Sequence, residues 1–168
     1  MSAKKLTQLA LLTAAALIIH TLEALLPALT PVPGIKLGLA NIVTLFTLYW
    51  IGPWEAALVT LARVLLGGMF GGSVSGLIYS LAGSALSLSV MLPLKKIVRP
   101  GYMFLPGILG AAAHNLGQIL AAVAVTRTTG LFMYLPVLVF SGCLAGLFTG
   151  LAAGALYLRL KRNTDKEK

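Results

Sequence analysis

Long apolar stretches, separated by short polar or Pro/Gly-rich breaks, run along almost the whole chain. They lie at about residues 7–27, 36–51, 53–70, 73–94, 102–125 and 131–160, with a polar tail at 161–168. A membrane-spanning helix takes about 20 apolar residues. The pattern therefore predicts an all-α, polytopic protein of six transmembrane helices in a single integral membrane domain. The breaks carry helix-ending chemistry. Pro27, Pro31, Pro33 and Gly34 follow the first stretch, and such a density of proline stops a helix and favours an ordered turn. Gly52-Pro53 predicts a tight turn with Pro53 at the first position of the third helix. Glycines 67, 68, 71 and 72 end the third stretch, Lys95, Lys96, Arg99, Pro100 and Gly101 the fourth, and Arg127, Thr128, Thr129 and Gly130 the fifth. The second stretch is short for a span, which predicts a helix of little tilt or one that starts inside the protein. The sixth is long enough to project from the bilayer, and the tail is expected to fray. The first is preceded by Lys4 and Lys5, as a secretory signal would be. No small-residue cleavage site follows its core, so it is expected to be retained.

Composition agrees with this class. Of 168 residues, 58% are hydrophobic, the mean hydropathy is +0.95 and only 10% are charged, against roughly 25% in ordinary soluble domains. That is too few to cover a soluble globule and too apolar for disorder. Cys143 is the only cysteine, which excludes a disulfide scaffold. The net charge of +9 would suggest nucleic acid in a soluble domain. In a membrane protein it sets topology, because Lys and Arg collect in cytoplasmic loops. With both termini inside, Lys4, Lys5, Lys95, Lys96, Arg99, Arg159, Lys161, Arg162, Lys166 and Lys168 fall on the inner side, against Lys36 and Arg127 outside. The bias predicts an N-in/C-in bundle and accounts for the charge without nucleic acid. Trp50 and Trp54 then sit at the inner interface.

Small residues mark packing faces. Gly142, Gly146, Gly150 and Gly154 recur every fourth residue in the sixth stretch, which aligns them on one helix face. Close approach of another helix is the expected use. Gly72, Gly76, Ser80 and Ser84 form a similar face in the fourth. Ala10 and Ala14 share a face of the first helix, suited either to internal packing or to docking a partner.

The polar residues inside the apolar stretches carry the functional argument, since each is costly in a membrane. His20 and Glu23, Asn41, Arg63, Tyr79 with Ser80, and His114, Asn115 and Gln118 come from five stretches. At ~1.5 Å per residue, most of these fall at similar depth in the outer half, which predicts a shared interior cavity opening outward. His114, Asn115 and Gln118 are spaced to share a face, as are His20 and Glu23. Glu23 and Arg63 are expected to pair or to share a ligand. The structural alternatives are a tie between two helices for Glu23 and Arg63, and interhelical hydrogen bonding for the His114 group. Glu55, in the first turn of the third helix, suits the positive helix end and reads as structural.

Several chemistries lack their residues. The sequence has no phosphate-binding loop of the nucleotide-hydrolysing type. Its acids are Glu23, Glu55, Asp165 and Glu167, and none are placed to share a catalytic metal. A Cys/His metal site would need more than Cys143, His20 and His114, and haem ligation would require the two histidines to face one another. No cofactor and no metal are expected.

Specific strings add a resemblance. They are Pro33-Gly34-Ile35-Lys36-Leu37-Gly38-Leu39-Ala40-Asn41-Ile42-Val43, Gly52-Pro53, Arg63-Val64-Leu65-Leu66-Gly67, Tyr79-Ser80-Leu81-Ala82-Gly83 and Ala113-His114-Asn115-Leu116-Gly117-Gln118. Over nearly the whole chain it resembles the bacterial Gx transporter family, also labelled heptaprenyl diphosphate synthase component I. That family is similar to the substrate-binding S components of energy-coupling factor transporters. The resemblance implies a six-helix bundle in the bacterial cytoplasmic membrane, with an outward-opening site for a small molecule such as a vitamin, flavin or isoprenoid-related compound. It implies a lid in the loop from Pro27 to Gly34, and docking of an energising transmembrane subunit with ATPases through Ala10 and Ala14. Glu23, Lys36, Asn41, Arg63, Tyr79, His114, Asn115 and Gln118 are then the candidate substrate-binding residues. The synthase label conflicts with the residues, because prenyl diphosphate synthases use aspartate-rich motifs and the sole aspartate here is Asp165. The chain is expected not to be an enzyme. The second reading is a non-catalytic membrane accessory of an isoprenoid, quinone or extracellular electron-transfer pathway.

Overall fold

The structure is a computed structural model that describes residues 2–25, 36, 38–71 and 74–166. The described residues form six α-helices: α1 (Ala3–Ala24), α2 (Asn41–Trp50), α3 (Pro53–Gly71), α4 (Val74–Ile97), α5 (Phe104–Thr126) and α6 (Leu135–Lys166). Short 3-10 turns at Pro100–Tyr102 and Thr129–Tyr134 precede α5 and α6. All but α2 are long and apolar enough to cross a membrane.

Local chemistry sets the ends. The hydroxyl of Ser2 accepts the Lys5 N–H at 3.4 Å and caps α1. At the α2–α3 turn, the N–H groups of Ile51 and Gly52 both donate to the Thr47 carbonyl. Pro53 then opens α3, where its missing N–H costs nothing. Arg127 stops α5 by adopting a left-handed conformation, φ 56°.

The second apolar stretch differs from a full span. Only Asn41–Trp50 is helical, about 15 Å of rise, half of a ~30 Å hydrocarbon core. Burial explains the difference. α2 packs against each of the other five helices, and seven of its ten residues are buried. It is an internal plug, too short to span. Leu45, Phe46 and Leu48 form its core contacts with Ala56, Met91, Met103 and Ala153. The polar tail differs too: α6 continues as helix to Lys166.

Around this plug, α5 lies between α4 and α6. The glycine row of α6 makes one of these contacts. A Cβ on Gly146 would run into the Gly107 carbonyl, and one on Gly142 into the Asn115 amide. A Cβ on Gly150 would lie 2.5 Å from the Phe104 Cα, whereas one on Gly154 would meet nothing nearer than 3.4 Å. On the other side, Gly117 of α5 abuts the Ala82 carbonyl of α4, 2.7 Å from where its Cβ would be. Backbones meet directly, as association in lipid requires.

Candidate functional site

Because α2 stops short, its N-terminal end and residues 38–40 lie among the long helices, with Lys36 at the edge. Gly38 and Ala40 are buried, and Gly38 has φ +84°, a conformation that a side chain disfavours. The close approach is equally demanding. A Cβ there would lie 2.9 Å from His114 Cδ2 and 3.0 Å from Asn41 Nδ2.

Glu23, at the end of α1, reaches this turn. Its carboxylate accepts the Gly38 N–H at 2.5 Å and the Leu39 N–H at 3.1 Å. The carboxylate therefore holds the turn that leads into α2. Lys36 is tied in at two points. Its backbone N–H donates to Gln118 Oε1 of α5 at 3.1 Å, and its Nζ lies 3.0 Å from His20 Nε2.

Arg63 projects from α3 into the same cluster and is 2% exposed. One guanidinium nitrogen donates to Ser84 Oγ of α4 at 2.8 Å, and the other lies 3.5 Å from His20 Nδ1. His20 fits because α3 offers Gly67 beneath its ring; a Cβ there would stand 2.9 Å from two ring atoms. Gly38 and Gly83 of α4 both pack on the His114 ring.

The structure thus brings together Glu23, Lys36, Asn41, Arg63, His114 and Gln118, together with His20. Glu23 and Arg63 make no direct ion pair. Glu23 spends its oxygens on backbone N–H groups, and His20 stands between Lys36 and Arg63. Among the described residues the ion pair present is Lys5–Glu55, at the opposite end of α1. Asn115 is separate: its amide donates to the Leu138 carbonyl of α6 at 2.5 Å. Tyr79 is separate as well, packed with Ala122 and Leu131. Ala10 and Ala14 are exposed on the outside of α1. The expected lid, Pro27 to Gly34, lies outside the described residues.

Ser84 and the backbone N–H groups of Gly38 and Leu39 are site elements that the residue pattern did not single out. Ser84 stood in the sequence as a small packing residue, at i+4 from Ser80. Backbone donors leave no mark on side-chain patterning; the one signal for them was a glycine, Gly38, two residues after a lysine in an otherwise apolar run.

Helices of this length and apolarity around a buried polar cluster are those of a polytopic membrane protein. The family model described as heptaprenyl diphosphate synthase component I matches residues 12–156, and the chain belongs to that family. Neither a curated protein nor a solved structure matches the chain.

Proposed function

We propose that the protein is a membrane substrate-binding subunit of a transporter, similar to the S components of energy-coupling factor systems. The observation that carries this reading is the unsatisfied polarity of the cluster. Asn41 Nδ2, Arg63 Nε, His114 Nδ1 and Gln118 Nε2 are buried without a hydrogen-bond partner among the described residues. An unmade hydrogen bond inside a bundle costs about 1–3 kcal/mol, and a scaffold that only tied helices together would not gather four. A binding site gathers them because the ligand supplies the partners. The substrate is a small molecule of the vitamin, flavin or isoprenoid-related kind, taken from the outer side of the bacterial cytoplasmic membrane, and both termini are cytoplasmic. Asn115 of α5, bonded to α6, and Tyr79 of α4 stand apart from the cluster and hold the helices around it. Ala10 and Ala14, exposed on α1, offer a smooth face to an energising transmembrane subunit with its ATPases. The chain itself performs no catalysis; its sole aspartate, Asp165, is exposed near the end of α6.

Native mass spectrometry of gently extracted protein tests the reading. A retained small molecule, lost in His114→Ala, supports it. A ligand-free protein whose thermal stability responds to no member of a vitamin, flavin and prenyl-phosphate panel removes it. The family's name favours one competing reading, a non-catalytic accessory of prenyl diphosphate synthesis. Co-purification with a prenyl synthase and without an ATPase module would select that one.

A further inference from the structure

The cluster has an unbalanced charge. Lys36 and Arg63 are two cations, and Glu23 is the one carboxylate among them, already engaged by two N–H groups of the turn into α2. Nothing else in the chain can restore the balance. Residues 26–35 contain no Asp or Glu. Glu55 is paired with Lys5, and Asp165 and Glu167 follow the last apolar stretch in the sequence. An uncompensated charge inside an apolar bundle is among the most expensive arrangements a membrane protein can hold.

The hydrogen-bond balance has the same sign. Arg63 Nε and Gln118 Nε2 are donors only, and Gln118 is oriented by the Lys36 N–H on its Oε1. Asn41 Nδ2 is a third donor. His20 adds a fourth. Its two ring nitrogens face Lys36 Nζ at 3.0 Å and Arg63 at 3.5 Å, and both neighbours only donate. A neutral imidazole has one acceptor nitrogen. The shorter contact takes it, and the N–H on Nδ1 is left pointing at a guanidinium. Set against His114 Nδ1, the one unpartnered ring nitrogen in the cluster, donors therefore outnumber acceptors among the described residues, and they do so beside a surplus positive charge.

We infer that the ligand of this site carries an oxyanion, a carboxylate or phosphate group, seated between Arg63, Lys36 and Gln118. This deepens the substrate-binding reading and rests on it. One negative charge cancels the surplus, and its oxygens accept from Arg63 Nε and Gln118 Nε2. Lys36, half-exposed at the edge of the cluster, is the side chain past which the anion enters. It exchanges its contact with His20 for one with the ligand. A cationic ligand would leave two surplus charges, and a neutral one would leave the imbalance as it is.

A matched series of probes tests the inference on purified full-length protein at constant ionic strength: octyl phosphate, octanoate, octanol, octylamine and inorganic phosphate. The two octyl anions should raise the thermal midpoint, and octanol and octylamine should not. A shift with inorganic phosphate as well assigns recognition to the free ion; a shift with the octyl anions alone assigns it to an anchored headgroup. Affinity for the stabilising anion should fall about tenfold or more in Arg63→Gln. Lys36→Met, on the edge of the cluster and less demanding of the fold, should weaken it in the same direction. Equal stabilisation by octanol or octylamine, or anion binding unchanged in both variants, overturns the inference. A neutral or cationic molecule retained in native mass spectrometry also overturns it while leaving the substrate-binding reading in place. No retained molecule and no response to any probe removes both.

Discussion

Gly38 is the residue on which the site's geometry turns. Its positive φ places two successive N–H groups on the Glu23 carboxylate, and its missing Cβ lets His114 and Asn41 close in. Gly38→Ala should cost about 1–2 kcal/mol from backbone conformation alone, with a further loss as the His114 ring is displaced. At about 2–4 °C per kcal/mol for a chain of this size, differential scanning fluorimetry should show a clearly lowered midpoint. Any ligand-induced shift should vanish with it. Glu23→Gln makes a distinct prediction. The carboxamide keeps one acceptor oxygen but turns an NH2 toward the second backbone N–H, so about 1–3 kcal/mol should be lost. It also removes the only local negative charge, so anions should bind more tightly to whatever folded protein remains. A variant with unchanged stability would mean that Glu23 does not hold the turn. At this scale the sequence was partly legible. The spacing of His20 with Glu23, and of His114 with Gln118, placed these pairs on common faces, and the structure puts them around one turn. Asn115 shows the limit. One residue is about 100° of helix rotation, and spacing to Gln118 alone did not reveal that its amide faces α6.

The elements themselves were more legible than their contacts, because apolar length and Pro/Gly breaks are local properties. Gly52-Pro53 fixed the α2–α3 turn, and Arg127 closes α5 at the expected break. α2 was harder to read. Its apolarity is that of a span, and only its burial on all sides shows why ten residues suffice. The glycine row of α6 gives a graded prediction that separates backbone contact from mere smallness. In Gly146→Ala the new methyl would meet the Gly107 carbonyl, and backbone cannot step aside. Overpacking of this kind costs about 1–3 kcal/mol. In Gly154→Ala the nearest atom would be 3.4 Å away, and gaining helix propensity over glycine should make the change neutral or stabilising by up to about 1 kcal/mol. Thermal denaturation in one detergent should place Gly146→Ala below the unmodified protein and Gly154→Ala level with it or above. Equal effects would mean that α6 does not approach α5 at Gly146.

At the scale of the molecule, the question is which way the bundle sits in the membrane, because the direction of substrate entry follows from it. Helix α6 carries the charge argument. Its 32 residues rise about 48 Å, against ~30 Å of hydrocarbon. The end that holds Arg159, Lys161, Arg162 and Lys166 must therefore project into water. Basic ends are retained on the cytoplasmic side, where anionic lipid headgroups also attract them. The proposed orientation expects the turn at Arg127–Thr128, at the far end of α5, to face outward. Cys143 is the lone cysteine, so Cys143→Ala gives a background in which single cysteines report position. Thr128→Cys and Asn163→Cys both lie at exposed positions and leave the charge pattern untouched. In intact cells a membrane-impermeant maleimide should label position 128 at once and position 163 only after the membrane is opened. The reverse pattern would place the short plug α2 and its polar turn on the opposite side. Entry past Lys36 would then be from the cytoplasm, and the transport reading would change from uptake to export.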